Sequence, residues 1–319
     1  MKEKVLITGI SGFIGKNLYN SIKNEGYDIF LSSRDTSVLP KEYSNSFRII
    51  DWDLEKENIL HDKIDILVHL AAEKKNTDKM WQVNFLGTKK LVVAAIKSGV
   101  KKIIFLSTVS IYNIEKYKII HESFDEYSTN PYGISKLAAE NFIREICENN
   151  NIDFTIIRPT DVIGFEKKSF LSLVKSVQKG YFYYFGDYKK IKTNYLAIED
   201  LCQCIIYFIK NKYNNDFIIN DSVELYSIIN RISKSLKVES PKLSLPKLLG
   251  LSVSTICDYS QNLTKYKLPF NSSRYNELTN LTIFSSAKLD KNTTFNHKHS
   301  LLNKIEELTK FYLKNDFLK

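Results

Sequence analysis

The first half of the chain alternates between short apolar, β-branched runs and longer amphipathic segments. Strands that are apolar throughout and separated by helices are typical of a parallel sheet covered on both faces. Parallel neighbours need right-handed crossovers, so the pattern predicts a doubly wound α/β sheet of the Rossmann type. The predicted strands are Lys4–Thr8, Asp28–Ser33, Phe47–Asp51, Ile64–Ala71, Lys102–Ser107 and Phe154–Arg158, and the clearest predicted helices are Gly12–Asn24 and Pro131–Glu148.

From about residue 160 the alternation fades, and prolines cluster at Pro241, Pro246 and Pro269. Helical patterns dominate the C-terminal part of the chain. We therefore expect a first domain over 1–164, to which a later strand near 192–200 returns. A smaller, mostly helical lobe is expected over 165–319.

The composition limits the classes of partner. The chain has 46 basic and 36 acidic residues, a net charge of +10, which suits an anionic partner. Its lysine pairs are scattered and no basic cluster with stacking aromatic residues is present, so we expect no nucleic-acid partner. A membrane-spanning helix needs about 20 apolar residues, and no apolar run approaches that length. The first predicted strand begins within a few residues of the N-terminus, which leaves no room for a signal peptide. We expect a cytoplasmic protein with no membrane partner. The four cysteines lack zinc-site spacing, and we expect no metal.

A glycine-rich turn joins the first predicted strand to the first predicted helix. Its sequence runs from Thr8-Gly9 through Gly12-Phe13-Ile14-Gly15. Glycines at this spacing allow a tight turn, a close approach of backbone to phosphate and close packing of helix on sheet. The helix N-terminus adds free N–H groups and a favourable dipole. The turn therefore predicts a dinucleotide pyrophosphate site.

The end of the second predicted strand, where the adenosine ribose is read, carries Ser33-Arg34-Asp35. An acidic residue there accepts bonds from the ribose hydroxyls, whereas a neutral residue beside an arginine accommodates the 2′-phosphate of NADP. With Ser33 at the reading position, Arg34 pairs with that phosphate, and NADP(H) is favoured. A register shift would put Asp35 there instead, so NAD(H) is the alternative.

Tyr132 and Lys136 stand four residues apart in a predicted helix, which puts them on one face. A free phenol has a pKa of about 10, too high for proton exchange at neutral pH, and a nearby ammonium and an oxidised nicotinamide lower it. Thr108 follows a buried strand at the edge where open α/β sheets bind ligands. The Thr108 hydroxyl can hold a substrate oxygen there while Tyr132 moves the proton.

These motifs, in this order, resemble those of the extended short-chain dehydrogenase/reductase family, the NAD(P)-dependent epimerases, dehydratases and reductases of nucleotide sugars. The similarity spans most of the chain. The further matching segments are Asp53-Leu54, His69-Leu70-Ala71-Ala72, Asn84-x-x-Gly87-Thr88, Ser107-Thr108…Tyr112 and Arg158-Pro159…Gly164.

The resemblance implies roles for individual residues. Tyr132 is the acid/base, Thr108 is the hydroxyl of the catalytic triad, and Lys136 holds the nicotinamide ribose. It also implies a homodimer that binds a nucleotide sugar. The remaining implied cofactor contacts are Asp53 and Leu54 at adenine, and Leu70, Ala71, Ala72, Lys74 and Pro159 along the cofactor path.

Some positions depart from the family pattern. Val109 and Ser110 stand where 4,6-dehydratases of the family carry an Asp-Glu pair; because elimination needs two proton-transfer groups, we expect no dehydratase. Asp161 replaces an Asn that touches the substrate diphosphate in many members. The candidate substrate contacts are Ser110, Asp161, Lys192 and Arg274.

Three functions fit the sequence. The favoured one is an NADP(H)-dependent reductase that transfers hydride to a nucleotide-linked keto-sugar at C4, with Tyr132 as proton donor. The alternative is an NAD-dependent nucleotide-sugar 4-epimerase. A non-catalytic dinucleotide sensor is the third, because a fold alone does not fix a function.

Overall fold

A computed structural model describes residues 2–37, 39–40, 43, 48–56, 59–114, 118–165, 167–264, 270–279 and 281–318. The strands, in chain order, are β1 (Lys4–Thr8), β2 (Asp28–Ser33), β3 (Arg48–Asp51), β4 (Ile66–His69), β5 (Lys102–Leu106), β6 (Ile119–Ile120), β7 (Asp153–Pro159), β8 (Asp161–Ile163), β9 (Tyr184–Phe185), β10 (Tyr195–Ala197), β11 (Asn215–Ile219), β12 (Ser244–Leu245) and β13 (Ile283–Phe284).

Helices follow most of the longer strands. A π-helical segment over Trp81–Gly87 joins α2 to α3 without a break. The helices are α1 (Phe13–Ile22), α2 (Thr77–Met80), α3 (Thr88–Lys97), α4 (Pro131–Asn149), α5 (Lys168–Gln178), α6 (Ile198–Lys210), α7 (Leu225–Leu236), α8 (Lys247–Thr264), α9 (Ser272–Thr279), α10 (Ala287–Asn292) and α11 (Leu301–Lys314).

Seven strands form a central sheet in the order β11-β7-β5-β4-β1-β2-β3, and all neighbours are parallel. The order reverses between β1 and β4, where open α/β sheets bind ligands at the carboxyl edge of the strands. The predicted doubly wound parallel sheet is confirmed. Strand β4 is shorter than the predicted Ile64–Ala71, because the chain turns away after His69.

The chain divides into two units. Unit 1 contains Met1–Thr160, Ile198–Ile219 and Phe284–Asn296, and unit 2 contains Asp161–Ala197, Asn220–Ile283 and His297–Lys319. Each unit has an apolar core of its own. In unit 1 the core includes Leu6, Phe30, Leu67, Ile103 and Phe105 from the sheet, and in unit 2 it includes Phe170, Val174, Ile228, Ile229 and Ile305 from helices.

The predicted return of a strand near 192–200 to the sheet needs correction. Tyr195–Ala197 pairs with Asp161–Ile163 inside unit 2, and the strand that adds to the sheet beside β7 is β11. Strand β11 ends in Phe217, Ile218 and Ile219, which are all fully buried, so it supplies the apolar surface that this edge of the sheet needs. The segment that re-enters unit 1 after residue 197 begins as helix α6.

Two features of the described residues complete the fold. Lys102 of β5 sends its Nζ to the carbonyl oxygens of Phe208, Ile209 and Asn211 at 3.2, 2.7 and 3.0 Å, which satisfies the C-terminal end of α6. No helix in the described part of the chain is both long enough and apolar enough to cross a membrane.

Candidate active site

The glycine turn lies between β1 and α1 and has the geometry that a phosphate site requires. Gly9 has φ +74°, and a Cβ there would lie 2.7 Å from the backbone nitrogen of Ala71. A Cβ on Gly15 would lie 2.7 Å from the Cα of Ile10. The N-terminus of α1 has no side-chain cap, so its backbone N–H groups are available to an anion.

A cavity of about 220 Å³ extends from this turn over the ends of β2 and β4. Nine of the predicted cofactor residues line it, and the other seven, Phe13, Ile14, Gly15, Lys74, Tyr132, Lys136 and Pro159, do not. The predicted residues in its lining are Gly9, Gly12, Ser33, Arg34, Asp53, Leu54, Leu70, Ala71 and Ala72, and those that sequence reasoning missed include Ser32, Trp52, Glu55 and Glu73.

The adenosine end of the cavity is formed by Ser33 and Arg34. Asp35 does not line it, because its carboxylate turns back to accept hydrogen bonds from the Ser37 N–H and Oγ at 2.9 and 2.6 Å. These bonds lower the pKa of Asp35. The Arg34 guanidinium lies 3.8 Å from the Glu55 carboxylate, which itself lines the cavity. Glu55 also pairs with Lys79 Nζ at 2.8 Å, so its carboxylate is shared between two cations at this end of the cavity.

A chain of buried hydroxyl and imidazole groups holds the end of β4 in place. Thr88 donates its Oγ1 hydrogen to the Asn84 carbonyl, so it accepts from the Nε2 of His69 at 2.8 Å. The Nδ1 of His69 then accepts from the Oγ1 of Thr8 at 2.7 Å. Burial, with a smaller effect of Lys136, lowers the pKa of His69 to about 3, so the ring is neutral at physiological pH. Thr8 Oγ1 in turn accepts from the N–H groups of Leu70 and Ala71, two residues of the predicted cofactor path.

Asn84 of the π-helical segment connects this region to helix α4. Its amide pairs with the backbone of Glu73 in both directions, at 2.7 and 2.9 Å, and its Nδ2 also donates to Ser135 Oγ at 3.1 Å. Asn84 is fully buried. Its bonds cross from one segment to another rather than staying within its own helix, which assigns it a positioning role beside the predicted catalytic helix.

Thr108 follows β5 and begins a single turn of 3₁₀ helix over Val109–Ile111. Its Oγ1 accepts from the Ser110 N–H at 3.1 Å and donates to Ser110 Oγ at 3.1 Å. Ser110 lines a second cavity of about 390 Å³ in unit 1, together with Tyr112 and Asn130. The Thr108 hydroxyl thus lies beside a cavity that can hold a substrate, in contact with one of its wall residues.

Tyr132 and Lys136 lie on the first two turns of α4, whose N-terminus is capped by Asn130 through a 2.7 Å bond from the Gly133 N–H. Tyr132 is half-buried, and burial raises the pKa of its phenol. Lys136 is fully buried, and its Nζ lies 3.8 Å from the ring centroid of Phe105 in β5. Lys74 lies over the ring of Tyr132, with its Nζ 5.3 Å from the centroid.

The Lys136 ammonium has an unusual environment. Its Nζ makes no hydrogen bond to any described residue. Burial and the nearby Lys74 lower the pKa of Lys136 to about 7, against the opposing effect of Glu140. An unpaired buried cation is costly, and hydroxyl acceptors such as those of a ribose would relieve that cost.

Arg158 is fully buried and contacts Tyr112, a residue that lines the second cavity. It donates to Glu140, Glu126 and the Tyr112 hydroxyl, and reaches Asp216 at 2.9 Å. Burial, the largest single effect, lowers the pKa of Arg158, but the attraction and hydrogen bonds of Glu140, with smaller effects of Tyr112 and Asp216, together raise it. The cluster fixes the ring of Tyr112, which lines the cavity. The neighbouring Pro159 ends β7.

The predicted substrate residues of unit 2 differ in their contacts and exposure. The Asp161 carboxylate pairs with Lys167 Nζ at 2.8 Å, so it carries a neutralising partner. Lys192 is exposed and lies in an isolated bridge opposite Glu224. Thr193, next to Lys192, donates to the Val223 carbonyl. Arg274 belongs to α9, but its side chain lies outside the described part of the structure.

The sheet, the glycine turn and the polar residues at its carboxyl edge define a dinucleotide-dependent enzyme of the Rossmann class. The chain belongs to the NAD-dependent epimerase/dehydratase family, whose model matches residues 5–220. Its cofactor is accordingly a pyridine nucleotide, which fits the uncapped helix N-terminus and the unpaired Lys136 Nζ.

The chain is similar to several known proteins. It is 27% identical to the N-acetyl-α-D-glucosaminyl-diphospho-ditrans,octacis-undecaprenol 4-epimerase of Escherichia coli O157:H7, over 91% of this chain and 89% of that one. It is 30% identical to a dTDP-D-glucose 4,6-dehydratase of Homo sapiens, over 51% of this chain and 52% of that one. The crystal structure of UDP-glucuronic acid 4-epimerase from Bacillus cereus in complex with NAD has the same fold, with a TM-score of 0.73, 22% identity and coverage of 99% of this chain and 100% of that one.

Proposed function

We propose that the protein is a 4-epimerase of a sugar carried on a diphosphate, with NAD as its cofactor. The observation that carries the proposal is the relative from Escherichia coli O157:H7, a 4-epimerase that aligns with 91% of the chain. The sequence analysis favoured an NADP(H)-dependent reductase, and the similarity to 4-epimerases now favours its alternative. The Glu55 carboxylate beside Arg34 supports NAD over NADP.

The residues at the sheet edge would divide the chemistry among them. When bound, the pyridine nucleotide supplies an acceptor and donor of hydride for C4 of the sugar. Tyr132 takes the proton of the C4 hydroxyl and later returns it, while the Thr108 hydroxyl donates a hydrogen bond to the same oxygen. Because burial raises the pKa of the Tyr132 phenol, proton removal needs nearby positive charge. In this proposal Lys74, whose Nζ lies 5.3 Å from the Tyr132 ring centroid, and Lys136, one turn further along α4, supply it.

Dehydration is the competing activity, since a human dehydratase is also similar to half of the chain. Elimination needs an acid and a base beside the sugar, and the two residues after Thr108 are Val109 and Ser110. Valine exchanges no proton, and a serine hydroxyl is a poor acid and a poor base at neutral pH. We therefore propose epimerisation without dehydration.

One labelling experiment distinguishes the three reactions. The purified protein is incubated in deuterated water with N-acetylglucosamine carried on UDP and, separately, on geranylgeranyl diphosphate, and the products are analysed by NMR. An epimerase gives the 4-epimer with no deuterium at carbon and no net use of cofactor. A parallel incubation with added NADPH and a UDP-linked 4-keto-sugar tests the reductase, because only a carbonyl can accept the hydride. Stoichiometric consumption of NADPH there would indicate a reductase, and loss of water with deuterium at C5 in the first incubation would indicate a dehydratase; either result refutes the proposal.

The cofactor is tested separately by releasing it from denatured protein and identifying it by chromatography. We expect NAD. Recovery of NADP in its place would contradict the assignment of Glu55. Tyr132→Phe serves as the control in both experiments, because it removes the proton-transferring oxygen and leaves the cavity of the cofactor intact.

A further inference from the structure

Unit 2 contains a cavity of about 620 Å³ between α5, α8 and α9. This volume is within the range of about 300–1,000 Å³ that is typical of ligand sites. None of the residues proposed above for catalysis or cofactor binding lines it. Aromatic and aliphatic side chains dominate its walls, among them Tyr181, Phe182, Phe185, Leu249, Val253 and Phe270.

The apolar lining continues onto the surface. Tyr181 is 72% exposed, and Leu249 is 54% exposed. Helix α8 packs inside unit 2 through Gly250 and Ser254, which are buried, and a Cβ on Gly250 would lie 2.6 Å from the ring of Phe185. The opposite side of the helix faces outward and is mixed, because Ser252 and Thr255 are exposed there together with Leu248, Leu251, Ile256 and Tyr259. Exposed apolar side chains at the edge of an apolar cavity, here Tyr181 and Leu249, mark a binding site.

The charged residues that line the cavity are Lys175 and Lys179, four residues apart at the end of α5. Neither forms an ion pair with a described acidic residue, so both ammonium groups are available to a ligand. Lysine ammonium groups bind phosphate oxygens as point charges. The ligand that matches an apolar cavity with two lysines is therefore an amphiphile, with a hydrocarbon chain and an anionic head. A second copy of this chain is a poorer match, because each copy has a net charge of +10.

We propose that this cavity in unit 2 binds a polyprenyl diphosphate, with the isoprenoid chain along the apolar lining and the diphosphate at Lys175 and Lys179. That such a ligand carries the sugar rests on the proposed function, whereas binding of the prenyl diphosphate does not. Isoprenoid carriers of sugars reside in membranes. The proposal therefore differs from the sequence-based prediction of no membrane partner, which stays a prediction.

A binding assay without chemistry tests the cavity. The protein is titrated with geranylgeranyl diphosphate, with inorganic pyrophosphate and with geranylgeraniol, and binding is followed by the quenching of tyrosine and tryptophan fluorescence. We expect geranylgeranyl diphosphate to bind at least tenfold more tightly than pyrophosphate. Leu249→Asp, which puts a carboxylate into the lining, is expected to weaken binding of both prenyl ligands at least tenfold. Lys175→Gln combined with Lys179→Gln is expected to weaken geranylgeranyl diphosphate and leave geranylgeraniol unchanged.

Leu251→Asp is the matched control, because Leu251 is an exposed leucine of the same helix that does not line the cavity. It should leave binding of all three probes as in the wild type. Equal weakening by Leu249→Asp and Leu251→Asp would overturn the assignment to the cavity, as would equal affinity for geranylgeranyl diphosphate and pyrophosphate. Thermal unfolding of each variant verifies that its fold is retained; if Leu249→Asp unfolds, Val253→Asp replaces it, since Val253 also lines the cavity.

A turnover assay then separates this proposal from the proposed function. With the two N-acetylglucosamine donors used above, Leu249→Asp should raise KM for the geranylgeranyl diphosphate form and leave turnover of any UDP form unchanged. Chain binding without turnover of either sugar would refute the epimerase and keep the cavity assignment. Turnover of the UDP form without binding of the prenyl chain would keep the epimerase and refute the cavity assignment.

Discussion

The buried lysine of the candidate site makes a quantitative prediction about stability. Lys136→Met replaces the ammonium with an uncharged side chain of similar length. Because the pKa of Lys136 falls from 10.5 to about 7 in the folded protein, the unfolded state binds its proton more tightly. Each pKa unit corresponds to about 1.4 kcal/mol, so the charged form costs about 5 kcal/mol in the fold; because the group is half deprotonated at pH 7, the net cost there is about 4 kcal/mol.

The sign of the pH dependence follows from the same shift. The pKa is lowered on folding, so the cost is fully present below pH 7 and disappears as the pH rises through 10.5. Methionine avoids this cost but loses the contact of the ammonium with the Phe105 ring, worth about 1–2 kcal/mol. We therefore expect Lys136→Met to raise the free energy of unfolding by about 2–3 kcal/mol at pH 7. The gain should shrink toward zero, or turn into a small loss, near pH 10.

Urea unfolding of the cofactor-stripped protein, followed by circular dichroism at pH 7 and pH 9.5, measures this difference. Lys102→Met is the matched control, because Lys102 is also buried but donates to three carbonyl oxygens, and its loss should destabilise the protein. A Lys136→Met protein that is less stable than the wild type at pH 7, or a difference that does not change with pH, would refute the reasoning. Lys136→Met should be more stable but inactive, because it removes a buried ammonium that costs stability and serves function.

Three further variants test single features of the site. Gly15→Ala should purify without cofactor, seen as a lower ratio of absorbance at 260 to 280 nm, because its Cβ would lie 2.7 Å from the Cα of Ile10; full cofactor retention would contradict the close approach. Tyr132→Phe should lower turnover by at least about 100-fold while keeping bound cofactor, as measured by product formation and chromatography, and a small effect would remove Tyr132 from the acid/base role. Glu55→Gln should shift the ratio of NADP to NAD affinity at least tenfold toward NADP in fluorescence titrations, and an unchanged ratio would show that Glu55 does not control cofactor choice.

Much of the sheet is predictable from sequence because each strand of a buried parallel sheet is a local apolar run. β1, β2 and β5 lie where the pattern puts them, within a residue at each end. Which strands pair with each other is harder to predict from sequence, because pairing depends on residues far apart in the chain. Tyr195–Ala197 has a strand-like pattern and does form a strand, but its partner is Asp161–Ile163 rather than the central sheet.

The candidate site likewise combines features that local sequence motifs predict with features that only the fold brings together. The glycine turn and the Tyr132–Lys136 spacing are local motifs, so they are visible in the sequence. The Glu55–Arg34 pair and the bonds from Asn84 to Glu73 and Ser135 arise only when distant segments meet. The unit 2 cavity was missed because leucines of an amphipathic helix normally indicate core, and those of α8 instead face outward.

The interrupted path of the chain through unit 1 has a consequence for its synthesis. Strand β7 ends at Pro159, but the neighbour that covers its outer edge, β11, is made only after the first segment of unit 2 and helix α6. During translation the nascent sheet therefore exposes an unpaired edge made of Phe154, Ile156 and Ile157, which is a template for aberrant pairing. A chaperone that recognises extended apolar segments could bind this edge during that interval. The edge is covered once Asn215–Ile219 leaves the ribosome and pairs with β7.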